Sequence, residues 1–457
     1  MATTFSAPAE TTEPVRRLPL RAAIAPLGAS LFTSFVVAQT PPPQPSFEEL
    51  LERVEAQDRR IRALESAPAQ NGQGAGTSLV AGYDRGFFVR DAKSPFELRI
   101  NGRMQFRFTG FDADSGGRTT AEPIHRNDFE IERGRLEFRG TFLDADTHFF
   151  INLDSDTDDN HTVIFHDFWI NHRFCDGFDL YVGKAFVPGS RDWLAGSTST
   201  HLVDRALATT FFRPDRSVGV WAIGEPLEDF HYRVMVGNGL VTTDLDGGEI
   251  DDNLAGAASI WWDPLADYGS GYADLEWHED LAVRVGASVM YADEDDGQLP
   301  SNSEADAIRL SDGQRLTSSA LMGESFDVQM LAIDAAFKYQ GVSANAEAFF
   351  REIDQIVAMP GSPLRRSYYD WGGYCDVGVM LVAKTLEVVG RVSTVQGALD
   401  DSWEYAGGCN WYINGTHLNK LTLDATKLDG SPTNNSGPNY RLNDDGWLIR
   451  LQWQIAF

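Results

Sequence analysis

The chain has 457 residues and a formal net charge of -29, from 67 Asp and Glu against 38 Lys and Arg. That balance excludes non-specific nucleic-acid binding, which needs a cationic surface. Beyond the N-terminal region no stretch holds the ~18 uninterrupted apolar residues of a membrane-crossing helix, yet 28 Phe, 13 Tyr, 11 Trp and 42 Gly suit a sheet that alternates faces.

The first segment reads as a secretory leader. Arg16, Arg17 and Arg21 precede a short apolar run from Ala22 to Val37 that Pro26 interrupts, and Val36-Val37-Ala38 offers a small-residue cleavage site. Residues 1–38 are therefore expected to be removed. A Pro-rich spacer follows over 39–45. Ser46 and Glu49 then form a capping box at the start of a helix over 46–66. Phe47, Leu50, Val54, Gln57, Ile61 and Leu64 follow heptad spacing, so this helix is expected to associate with copies of itself. Residues 67–79 read as a flexible linker, leaving 80–457 as a second domain.

From Ser94 the period changes to two. Phe96, Leu98, Ile100, Met104, Phe106 and Phe108 alternate with Glu97, Arg99, Asn101, Arg103, Gln105 and Arg107. The last residues repeat the pattern: Trp447, Ile449, Leu451, Trp453, Ile455 and Phe457 face one way, Leu448, Arg450, Gln452 and Gln454 the other. A long strand with one apolar face and one continuously polar face belongs in a closed transmembrane β-barrel. The expected fold is all-β: about sixteen antiparallel strands behind a short coiled-coil helix. The last strand should pair with the one beginning near Phe96.

The connections alternate. Short turns are expected at Leu143–Asp146, Cys175–Gly177, Glu225–Asp229, Gln340–Val342, Lys384–Thr385 and Asn414–Gly415. Long loops cover Asp112–Asn127, Ser155–His161, Gly189–Arg216, Val241–Asn253, Asp293–Ser325, Asp354–Asp370 and Asp429–Asp444. Leu399–Ser402 is short for a loop. Ala266–Asp280 is long for a turn and has room for an extra piece of strand. Acidic residues crowd the long loops, as in Asp154 to Asp159. A calcium-loop reading of that run fails, because Asp159 and Phe165 stand where Gly and Glu are required. Three cysteines contain no CxxC pair. Cys375 and Cys409 fall on the twelfth and fourteenth barrel strands, too far apart for a disulfide.

Several segments, in order, resemble the phosphate-selective porin O/P family: Phe129–Gly140 (FEIERGRLEFRG), Asp179–Pro188 (DLYVGKAFVP), Phe212–Gly219 (FRPDRSVG), Trp411–Gly415 (WYING) and Leu451–Phe457 (LQWQIAF). The resemblance covers roughly residues 80–457. It implies a homotrimeric outer-membrane porin of sixteen strands with an N-terminal periplasmic extension. It further implies an anion-selective pore lined by basic residues and narrowed by an inward-folded third loop.

The residues offer candidates for that path. Arg99, Arg103 and Arg107 share one face, ~13 Å apart in strand geometry. Arg135 and Arg139 repeat the arrangement next door, with a phase slip near Arg133 that suggests a bulge. Lys184, Arg191, Arg205, Arg213 and Arg216 surround the third loop. Guanidinium groups offer phosphate a planar fork of donors. The competing reading is internal scaffolding, since Glu97, Glu130, Glu132 and Glu137 lie close by. Expected partners are copies of the chain, outer-membrane lipid, the barrel-assembly machinery and small anions; no nucleic acid, metal or cofactor is expected. A general or cation-preferring porin is the alternative. A secreted sugar-binding protein or hydrolase is a further one, though no GxSxG, HExxH or P-loop signature occurs, so no enzyme is expected.

Overall fold

The computed structural model describes residues 79–114, 125–157, 162–242, 250–295 and 304–457. The leader, spacer, heptad helix and almost all of the linker, with Asp158, Asp159 and His161, lie outside the described residues. A hairpin of β1 (Leu79–Tyr83) and β2 (Phe87–Asp91) comes first. The strands that follow are β3 (Glu97–Ala113), β4 (Arg126–Thr141), β5 (Thr147–Ser155), β6 (Ile164–Cys175), β7 (Phe178–Phe186), β8 (Arg216–Leu227), β9 (Phe230–Gly237) and β10 (Ala255–Trp262). The second half comprises β11 (Ala282–Asp295), β12 (Gly323–Tyr339), β13 (Val342–Ala358), β14 (Tyr368–Val382), β15 (Leu386–Gln396), β16 (Asp401–Tyr412), β17 (Asn419–Asp429) and β18 (Asp445–Ala456). Each strand from β3 to β18 pairs antiparallel with its sequence neighbours, and β18 pairs back onto β3, closing a 16-strand barrel. The hairpin β1–β2 adds to β3 beyond that seam, opposite Glu97 to Ile100.

The seam shows why alternation dictates closure. Leu448, Arg450, Gln452 and Gln454 are buried inside, whereas Trp447, Leu451, Trp453 and Ile455 are exposed on the outer face. Trp262, Tyr291, Tyr369, Trp371, Tyr405 and Trp411 continue that outer aromatic surface, as expected of the lipid-facing girdles of a membrane barrel. The main chain of Phe457 exchanges hydrogen bonds with Gly102 at 2.9 and 3.2 Å, fixing the register of the last residue. The slip near Arg133 is a bulge: Gln105 faces Arg133 and Phe106 faces Ile131, so Glu132 is the extra residue.

Wall closure also depends on Gly183. Its φ of +136° suits glycine, and an added Cβ would stand 2.2 Å from the Phe168 carbonyl oxygen and 2.7 Å from the Trp169 Cα. Backbone on the neighbouring strand cannot yield as a side chain can. Gly183→Ala is therefore expected to lower the yield of folded barrel severalfold, read as the fraction with heat-modifiable migration in detergent gels. An unchanged fraction would show that β6 and β7 tolerate separation there.

The turns and loops fall where the alternation puts them. Ala266–Asp280 departs from the expectation: it contains no strand. Gly269 and Gly271 hold φ of +67° and +70°, which break any extended run. The segment instead turns inward, burying Tyr268, Tyr272 and Ala273. Cys375 and Cys409 lie on β14 and β16, with β15 between them.

Candidate functional site

The connection between β7 and β8 carries two short helices, α1 (Arg191–Leu194) and α2 (Leu207–Phe212), and lies inside the barrel. Leu202, Ala206, Leu207 and Phe212 are almost fully buried there, and Phe212 stacks on Phe349 of β13 at 5.3 Å. Helix ends need acceptors for their free N–H groups. The barrel wall provides them. Glu347 accepts from the Arg191 and Asp192 amides at 2.9 and 3.1 Å, while Ser190 Oγ caps Trp193 N at 3.2 Å. At α2 the cap position is Ala206, which has no side-chain acceptor, and Glu404 accepts from Leu207 N at 2.6 Å instead. Asp424 accepts from Val203 N at 3.0 Å. The inward acids of β13, β16 and β17 thus hold the loop against one side of the lumen.

The segment between β10 and β11 reaches the same loop from the short-turn end. Tyr272 Oη donates to Asp192 at 2.7 Å, and Lys338 Nζ donates to the Tyr268 and Ser270 carbonyls at 3.1 and 2.8 Å. The remaining space is a cavity of about 570 Å³ between the loop, the tip of the last loop near Gly437, and the wall from β3 to β9.

Charge around this cavity is evenly divided among the described residues. Seven lining residues are basic (Arg103, Arg133, Arg135, Arg205, Arg213, Arg216, Arg233) and seven acidic (Glu132, Glu137, Asp154, Asp156, Asp167, Asp204, Asp215). Most are locked in pairs. Asp204 is the hub: Arg133 approaches it at 2.7 Å, and Arg107 and Arg205 at 3.6 Å each. Burial pushes its carboxyl up, but Arg133, Arg205 and Arg107 outweigh burial and hold it well below the usual carboxylate range. Arg135 binds Asp154 at 2.7 Å, and Arg216 binds Asp167 at 2.8 Å.

The nine arginines and one lysine singled out from the sequence therefore separate into groups. Arg103, Arg135, Arg205, Arg213 and Arg216 line the cavity. Arg107 is fully buried behind it, between Glu130, Glu132 and Asp204. Arg191 lies elsewhere in the lumen, over the Tyr272 ring at 5.0 Å and donating to Asn345 at 2.8 Å. Arg99 and Arg139 stand at the short-turn rim, beside Glu97 and Glu137. Lys184 is half-buried on β7 opposite Phe168 and is not a lining residue.

Two cavity arginines differ from the rest. Arg103 has Glu137 only at 4.0 Å, and its Nε–H meets no acceptor. Arg233, on β9, makes no ion pair among the described residues, and its Nε–H is likewise unsatisfied. Sequence reasoning missed Arg233. It is a single basic residue in an otherwise apolar and aromatic strand (FHYRVMVG), outside every motif. The inward parity shared with Met235 was its one available signal.

Residues 98–251 match the model of a family described as Phosphate-selective porin O and P, which bears out the resemblance. Among solved structures, the barrel is similar to an anion-selective porin from Comamonas acidovorans, with 10% identity, 79% of this chain and 99% of that one covered, and a TM-score of 0.50. It is also similar to OprB of Pseudomonas putida, with 10% identity, 79% and 94% covered, and a TM-score of 0.51. At that identity the likeness shows the fold alone. No curated protein matches the chain.

Proposed function

We propose that this chain, a member of the phosphate-selective porin O and P family, is an outer-membrane porin that lets small hydrophilic solutes diffuse and favours anions such as phosphate. The observation carrying the preference is the pair Arg103 and Arg233, which line the cavity: among the described residues Arg233 makes no ion pair, and Arg103 has only a long one, to Glu137 at 4.0 Å. The other basic lining residues named in pairs above are neutralised and act as scaffold, so the field a solute meets is set locally rather than by the chain's net charge. The short turns face the periplasm and the long acidic loops the exterior. The heptad spacing over 46–66 supports association of three copies of the chain on the periplasmic side.

Inorganic phosphate added to chloride-bathed single channels is expected to reduce the chloride current. Current indifferent to phosphate would remove phosphate from the solutes. A general or cation-preferring channel is the second reading, favoured by the equal numbers of acidic and basic lining residues.

A further inference from the structure

The same cavity carries a feature that a pathway for fully hydrated ions does not require. Phe150 on β5, Trp169 on β6 and Tyr181 on β7 all point inward and line it. Their rings form a continuous strip: Phe150 to Trp169 is 5.3 Å between centroids, and Trp169 to Tyr181 is 4.9 Å. Lumen faces of membrane barrels are ordinarily polar, because they meet water. Here three adjacent strands present aromatic carbon instead. The rings are only partly packed: Tyr181 abuts the buried cluster that contains Trp221, but none of the three is fully covered. All three are half-buried, whereas Trp221 on the next strand is 1% exposed and its indole N–H is spent on the Phe186 carbonyl. Trp221 also borders the cavity but is almost fully covered, whereas the strip keeps part of its surface.

The two unsatisfied guanidinium groups border the same space. Arg233 lies on β9, two strands from Tyr181, and Arg103 lies on β3, two strands from Phe150. A solute in this cavity thus meets an apolar, aromatic surface flanked on both sides by a guanidinium group, Arg233 with no ion pair among the described residues and Arg103 with only Glu137 at 4.0 Å. A bare inorganic anion uses the donors and gains nothing from the rings. A molecule with a planar apolar body and one carboxylate uses both.

We propose that this strip is a solute-contacting site for small aryl carboxylates, the ring lying on Trp169 and Tyr181 and the carboxylate reaching Arg103 or Arg233. The proposal rests on the reading of the chain as an anion-passing channel and names a solute class for it.

The test compares benzoate with acetate, which share a head group and charge and differ in the ring. Each is titrated against chloride current through wild-type channels in planar bilayers. Benzoate is expected to halve the current at roughly fivefold lower concentration than acetate. In Trp169→Gln with Tyr181→Gln, the two should act at equal concentrations, each read against that variant's own chloride current. Equal action of benzoate and acetate on the wild type would overturn the proposal without needing any variant to fold, and an anion-preferring channel with that behaviour would leave the proposed function standing. A benzoate advantage that persists in the double variant would also overturn the assignment to these rings. A cation-preferring wild-type channel would defeat both.

Discussion

Asp204→Asn is expected to raise single-channel conductance at least about twofold and to make the open level noisier, because it frees the inner loop from the wall. Asp204 is 2% exposed and is approached by Arg107, Arg133 and Arg205. Arg107 belongs to β3 and Arg133 to β4, whereas Asp204 and Arg205 belong to the loop. The carboxylate is thus the tie between loop and wall on the cavity side. Removing one charge from a buried cluster leaves its partners uncompensated, at a cost of about 3 kcal/mol or more. Arg107 and Arg133 keep Glu130 and Glu132 as partners on the wall, whereas Arg205 of the loop is left facing the two wall arginines, so the loop gains by moving away. The sign with pH follows from the depressed value of Asp204: its contribution is present above the ordinary carboxylate value of about 4 and is lost only as pH falls through the lower folded value. Neutral pH should therefore leave the wild-type loop closed. Conductance and thermal stability both unchanged in Asp204→Asn would mean that the wall acids Glu347, Glu404 and Asp424 hold the loop alone.

Arg103→Gln combined with Arg233→Gln is expected to lower the anion-to-cation permeability ratio roughly thirtyfold, since each of the two charges contributes about 1 kcal/mol in a hydrated lumen. The seven acidic lining residues would then face five basic ones, because two of the seven, Arg103 and Arg233, are neutralised. Arg135→Gln should do less, because it removes one basic charge rather than two; Asp154, paired with it at 2.7 Å, loses that partner. The permeability ratio, taken from reversal potentials across a salt gradient, separates the two cases. Equal effects from the paired and the unpaired arginines would show that pairing does not decide which charges a solute feels.

The wall was legible because side chains in a strand alternate with period two. Phe96 to Phe108 and Trp447 to Phe457 announced their faces and their mutual pairing, and the phase slip near Arg133 announced a bulge. The interior was legible only in part. The sequence places Arg107 on the inner face but cannot show that Asp204, almost a hundred residues away, is folded back beside it. Glu404 looks like any strand carboxylate until α2 arrives with an uncapped N-terminus at Ala206. Ala266–Asp280 suggested extra strand because it is long for a turn, yet its tyrosine hydroxyls serve side chains inside the lumen. In each case the deciding partner is a loop contact across the barrel, which periodicity does not encode.

The reversal potential of wild-type channels in a potassium chloride gradient tests the central claim most directly. A potential on the chloride side of zero is predicted, from Arg233, which makes no ion pair among the described residues, and Arg103, which has only Glu137 at 4.0 Å, in a cavity lined by equal numbers of basic and acidic residues. A potential on the potassium side would contradict it.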